Sequence, residues 1–129
     1  MAGKRAADEI RVKRVYAAPE GADGTRVLVD RLWPRGITME RAAIDAWLRD
    51  VAPSDGLRKR FHGHPEDWEA FRTAYAEELL MPPAQAALAA LRQRFAAGPV
   101  TLLFAAKDEE RNNAVALRLW LLSKNNAEG

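Results

Sequence analysis

Apolar residues change their spacing several times along this chain. Ile10-Arg11-Val12-Lys13-Arg14-Val15-Tyr16 alternates, which predicts a half-exposed β-strand. Arg26–Leu32 is more continuously apolar and predicts a second, more central strand. Between them Ala17–Thr25 carries Pro19, Gly21 and Gly24, the composition of a loop. Helical spacing then takes over. Thr38 is placed to cap a helix running to about Val51, with Ile44, Trp47, Leu48 and Val51 on one face and Pro53 as its stop. Ser54 is the candidate cap of a short helix to about Phe61, and the loop His62-Gly63-His64-Pro65 follows. Trp68, Phe71, Tyr75 and Leu79 mark a helix from Pro65 to about Leu80. Pro82-Pro83 separates it from a helix over 83–97 with the stripe Leu88, Leu91 and Phe95, closed by Gly98-Pro99. Val100–Ala106 is an apolar run that predicts a third strand buried on both faces. After the polar loop Lys107–Asn112, a last helix runs to about Ser123 with Val115, Leu119 and Leu122 facing inward.

This order predicts an α/β fold: a small, mainly parallel sheet of about three strands covered by about five helices, in a single domain over 9–124. Flexible tails are expected at 1–8 and 125–129. The long helical crossover between the second and third strands makes that pair parallel and right-handed in connection. The short first connection leaves its pairing direction open.

Composition narrows the chemistry. There is no cysteine among the 129 residues, which excludes disulfides, thiol nucleophiles and zinc–thiolate sites. The first residues contain no apolar signal-peptide core, and no apolar run approaches the ~18 residues of a membrane helix. A cytoplasmic location without membrane contact is therefore expected. Net charge is only +2, although Arg5, Arg11, Lys13, Arg14, Arg26, Arg31 and Arg35 gather in the first third. Asp8, Glu9, Glu20, Asp23 and Asp30 are interleaved with them, which also fits a solvated mixed-charge surface. A nucleic-acid footprint usually carries a larger positive excess.

The run Val27–Gly36, VLVDRLWPRG, sends an apolar strand into an ionisable pair and a fixed turn. Parallel pairing would bring Asp30, Arg31 and Arg35 to the same sheet edge as Lys107, Asp108, Asn112 and Asn113. Asn112 or Asn113 opens the last helix, whose N-terminal amides favour an anion. Arg31, Arg35 and Lys107 are the candidate anion ligands, joined by Asn112 and Asn113, with Trp33 lining the cleft. Asp30 and Asp108 are the candidate acid/base groups if chemistry occurs. The same residues also fit plainer roles, Asp30 with Arg31 and Arg35 as a structural ion pair and Asp108 and Asn112 as helix caps. Trp47, Trp68, Phe71 and Tyr75 read as core, and Trp120 as core or a subunit contact. His62 and His64 lie near Glu66 and Asp67, but the spacing specifies no third ligand, so no metal is expected. Walker and G-x-G-x-x-G motifs are absent, and no cofactor is expected.

VLVDRLWPRG, the tryptophan in AIDAWL, the FHGHP and DWEAF stretch, and LLFAAKDEERNNAVAL together resemble the YeaO-like branch of domain-of-unknown-function family 488. The resemblance runs from about Ile10 to Leu122. It implies a small bacterial α/β protein and no assigned activity. The positions it carries over are Asp30, Arg31, Pro34, Arg35, Asp108, Asn112 and Asn113. Arg111 departs from the histidine of that branch, and the FHGHP loop is one residue longer than its pattern. Related branches carry cysteine and histidine in the loop near Arg111, so imidazole or thiol chemistry is in doubt here. The expected function is binding of an anionic small molecule or nucleotide at the sheet edge, by a monomer or homodimer. The alternatives are nucleic-acid binding through the arginine-rich first third and a non-catalytic interaction module.

Overall fold

The computed structural model describes residues 10–128, with side chains described as far as Ser123. The expected tail over 1–8 and Gly129 lie outside that range. Four strands form one parallel sheet in the order β1-β4-β2-β3. They are β1 (Ile10–Arg14), β2 (Thr25–Leu28), β3 (Ala46–Trp47) and β4 (Val100–Phe104). The helices are α1 (Met39–Ala42), α2 (Asp55–Phe61), α3 (Trp68–Leu79), α4 (Pro82–Ala97) and α5 (Asn113–Glu128). The last helix thus continues beyond the expected end near Ser123. Among the described residues, no helix is long and apolar enough to cross a membrane.

The α/β class and the parallel sheet are as expected, with a fourth, two-residue strand added. β1 and β2 do not pair with each other; each pairs with β4, from Ile10↔Val100 and Thr25↔Val100 onward. That central place explains why all five residues of β4 are buried. The two faces of the sheet are covered differently. Val27, Val29, Val100, Leu102 and Phe104 point into the larger core, beneath Tyr75, Leu79, Leu88, Leu91 and Leu117. Leu28 and Leu103, one residue out of phase, join Val15 and Ala42 in a smaller cluster packed by Trp33, Ile37, Ile44 and Trp47.

The segment that roofs the smaller cluster corrects the expected helix from Thr38 to Val51. Thr38 does cap a helix, its Oγ1 accepting from the Arg41 N–H at 3.1 Å. That helix stops after one turn, because Ala43 turns left-handed (φ 50, ψ 48). The following residues satisfy the open edge of β2 instead. Asp45 N–H donates to Arg26 O at 2.8 Å and Leu48 N–H to Leu28 O at 3.0 Å. Ile44 and Trp47 therefore join the smaller cluster, while Leu48 and Val51 join the larger one. A helix would have kept all four on one side. Pro53 follows a single 3₁₀ turn over Arg49–Val51 rather than an α-helix, and its carbonyl receives a hydrogen bond from Arg31.

The inward face of α5 also differs from expectation. Ala114, Ala116, Leu117 and Leu121 are buried, whereas Val115, Leu119 and Leu122 are only half-buried. Small alanines let the helix sit close to the sheet, so the bulkier stripe is not the deepest one. In α3, Phe71 packs between Trp68 and Tyr75 at 5.8 Å ring separations on both sides.

A buried polar group anchors the start of β2. Arg26 shares its face with Leu28, and its Nη1 donates to Asp23 Oδ2 at 2.6 Å. Its Nη2 donates to Ala42 O at 2.8 Å, satisfying a carbonyl at the end of α1. Lys13 Nζ lies 3.1 Å from Asp23. Burial opposes ionisation of Asp23, but the Glu20 N–H, Lys13 and Arg26 outweigh it and hold this carboxyl below the usual range. Gly24 completes the turn at φ 64, where a Cβ would lie 2.3 Å from Pro99 O. Asp23→Ala leaves the Arg26 guanidinium buried without its counter-charge, and a loss of about 3 kcal/mol is expected in urea unfolding. A loss under about 1 kcal/mol, the value of an exposed pair, would contradict this role.

Candidate functional site at the strand exits

Parallel pairing places the C-terminal ends of β1, β2 and β4 on one edge, where open α/β sheets bind ligands. The Val29 N–H donates to Leu103 O at 3.1 Å and extends the β2–β4 ladder by one residue. Asp30 follows directly. Its Oδ2 accepts from the Ala105 N–H at 3.0 Å, and its Oδ1 accepts from Asn113 Nδ2 at 3.0 Å. The same amide of Asn113 also donates to Val29 O at 3.0 Å, and the Trp47 indole N–H donates to Asp30 O at 2.7 Å. One carboxylate thus joins the exits of β2 and β4 to the first residue of α5. Burial raises the Asp30 pKa, although the Asn113 and Ala105 donors and the nearby Arg58 charge pull it down.

Arg31 is half-buried and clamps the chain before α2, with Nε 3.1 Å from Pro53 O and Nη2 2.9 Å from Ala52 O. Trp33 donates from Nε1 to Ile37 O at 2.9 Å, and its ring meets Trp47 edge-on at 5.4 Å. It packs the roof of the smaller cluster. Asn112 is the N-cap of α5, its Oδ1 accepting from Val115 N–H at 2.9 Å, and its Nδ2 donates to Asp108 O. Asp108 is exposed, and the N–H groups of Arg111 and Glu110 hold its carboxyl below the usual range. Arg35 and Lys107 are exposed, and neither side chain has a hydrogen-bond or ion-pair partner among the described residues.

Three residues outside the expected set belong to this edge. Arg58, on α2, acts electrostatically on Asp30 and pairs with Asp55 at 3.2 Å. Nothing in its local sequence separates it from Arg60 or Lys59; only the packing of α2 brings it there. Tyr16 donates from its hydroxyl to Arg35 O at 2.8 Å. Arg14 sits over the Tyr16 ring, 4.9 Å from its centroid, and donates to Ala105 O and Ala106 O at 3.0 Å each. An aromatic residue at the exit of a parallel strand was the available signal for Tyr16. The histidine loop is exposed: His64 Nδ1 lies 3.2 Å from Glu66 Oε2, with Asp67 beside them.

The edge is open. A groove of about 390 Å³ lies between α2 and α3, lined by Leu57, Arg60, Ala74, Glu77 and Met81 among others. Another of about 200 Å³ lies between α3 and α5 beside Thr73, Ala116 and Trp120. Neither contains a residue of the strand exits.

Together these features define a small parallel α/β domain with a cation-bearing edge centred on a half-buried aspartate. The sequence profile described as "Inactive DUF488-N3 subclade" matches residues 9–129, and the chain belongs to that family. It is 44% identical over 115 residues to "Uncharacterized protein YeaO" of Escherichia coli (strain K12), covering 88% of this chain and 97% of that protein. It is 42% identical over 108 residues to "Uncharacterized protein Rv3073c" of Mycobacterium tuberculosis (strain ATCC 25618 / H37Rv), covering 84% and 89% respectively. The YeaO-like resemblance seen in the sequence is thereby borne out. No solved structure matches the chain.

The two aspartates should titrate on opposite sides of an ordinary carboxylate. The fold favours the protonated form of Asp30, so its contribution to stability is largest at low pH and declines as pH rises through its raised pKa. Asp108 is held ionised, so its contribution is present at neutral pH and lost as pH falls. Carboxyl-carbon NMR titration is expected to give Asp30 the higher midpoint. The reverse order would contradict the burial of Asp30.

Proposed function

We propose that this protein binds a phosphate- or carboxylate-bearing small molecule at the open C-terminal edge of its sheet and does not turn it over. The observation that carries this reading is the pair Arg35 and Lys107. Two separate segments deliver these exposed cations to one edge, and neither is neutralised by a described side chain. Tyr16 and Arg14 connect them. Tyr16 bonds Arg35 O, and Arg14 bonds the two carbonyls that precede Lys107. Cations in this setting favour a phosphate or carboxylate.

The absence of turnover rests on Asp30 and Asp108, the acid/base candidates. Both accept N–H donors of the fold, Asp30 between strand exits and Asp108 in its own loop. Membership of a subclade described as inactive supports the same reading. Asp30 and Arg31 then shape the edge, and Asn112 and Asn113 fix where α5 begins beside it. The nucleic-acid alternative is less well supported. Arg26 is buried against Asp23, Lys13 is paired with Glu20 and Asp23, and Arg14 is committed to backbone carbonyls. An interaction module using Trp120 has less support too, since that residue packs against the larger core.

Calorimetric titration with pyrophosphate and with citrate tests the reading. Binding is expected to weaken as salt rises and to fall about tenfold in the double variant Arg35→Ala/Lys107→Ala. Undiminished affinity in that variant, or no binding of either anion, would overturn the proposal.

A further inference from the structure

We infer that the anion bound at this edge belongs to a nucleotide, whose base stacks on the ring of Tyr16 while its phosphate meets Arg35 and Lys107. The inference rests on the anion-binding reading above and adds the identity of the ligand class. It begins with the position of Tyr16. The Val15 N–H donates to Phe104 O at 2.8 Å, so β1 stays paired to β4 until one residue before the tyrosine. The ring therefore emerges at the sheet edge beside the exit of β4.

Tyr16 is the aromatic residue that the fold leaves most open, at 40% exposure. The four tryptophans and the four phenylalanines are all buried or half-buried. An exposed ring is ordinarily mobile, but this one is fixed at two points. Its hydroxyl is tied to Arg35 O, and the Arg14 guanidinium lies against the ring. That guanidinium is itself held by two carbonyls of the β4 exit. A planar group that settles on the open ring would extend a base–tyrosine–arginine stack on a platform that loses little freedom on binding. Arg14 beneath the ring contributes its charge through the aromatic system.

The segments that carry the cations are tied directly to this platform through their backbone. Arg35 is the residue whose carbonyl holds the Tyr16 hydroxyl, and Lys107 follows the carbonyl of Ala106 that holds Arg14. A simple phosphate or carboxylate would use the cations and leave the exposed part of the ring uncovered. A nucleotide uses both. Neither groove contains a residue of this edge, so the platform offers a base its stacking face rather than either groove. Discrimination is expected to follow stacking strength, with purines ahead of pyrimidines.

The test compares AMP with ribose 5-phosphate, which carries the same phosphate without a base, by calorimetry on the full chain. AMP is expected to bind about tenfold more tightly, and its base protons to shift upfield in NMR spectra. Tyr16→Ala should reduce AMP to the affinity of ribose 5-phosphate, and Tyr16→Phe should keep the advantage because the ring remains. Equal affinities of the two ligands in the native protein would overturn the inference while leaving anion binding intact. Failure of both to bind would remove the anion-binding reading itself. An AMP advantage that survives Tyr16→Ala would overturn the assignment of the platform. A hexanucleotide that binds more than about a hundredfold tighter than AMP, with steep salt dependence, would replace the mononucleotide by single-stranded nucleic acid.

Discussion

The Asp30 carboxylate holds together three segments that the chain keeps far apart. Its hydrogen bonds to Ala105 N–H and Asn113 Nδ2 span sequence separations of 75 and 83 residues. Parallel strands have no turn to join their ends, so past the last ladder bond, Val29 N–H to Leu103 O, other groups must hold the exits together. Here a single acidic side chain does so, and it fixes the start of α5 at the same time. The loops carrying Arg35 and Lys107 leave from either side of this bridge. The spacing of the edge cations therefore depends on Asp30, even though its own oxygens face inward to the fold.

A second aspartate, Asp23, does comparable work at the opposite end of β2, under different electrostatics. Its partners are the cations Lys13 and Arg26, which keep it ionised despite burial. Asp30 has neutral amide donors as its direct partners, and there burial wins. One residue type thus titrates in opposite directions at the two ends of a four-residue strand, because the bonding partner decides how much of the desolvation cost is recovered. Between these ends, the sheet is covered by helices on one face. The other is covered by the segment from Trp33 to Trp47 and, over Arg26 and Thr101, by the loop that carries Asp23. The roof from Trp33 to Trp47 is the same stretch of chain that borders the proposed binding edge.

Much of this was legible in the sequence, and the failures have physical causes. The alternating and continuous apolar runs located β1, β2 and β4, because burial on one face or two leaves those patterns. Asp30 and Asn113 were both singled out from their places at strand exit and helix start. The expected helix through Ile44, Trp47, Leu48 and Val51 failed because helical spacing in a short apolar stretch also fits a bent chain with residues on both faces of a sheet. What decided it was the unpaired edge of β2, a tertiary demand that local spacing does not express. Tyr16 was read only as the end of an alternating strand. Its fixed position depends on Arg35 and Arg14 closing around it, and Arg58 likewise needs the packing of α2 to reach Asp30.

Binding, on this view, is a property of the edge and not of the concave surfaces between the helices. Backbone-amide NMR mapping during titration with AMP distinguishes the two places directly. The largest shifts are expected at Tyr16, Arg35 and residues 105–107, with small ones at Asp30 and Asn113. Shifts centred instead on the groove between α2 and α3, at Leu57, Ala74 and Glu77, or no shifts at all, would contradict a ligand-binding edge built on the strand exits.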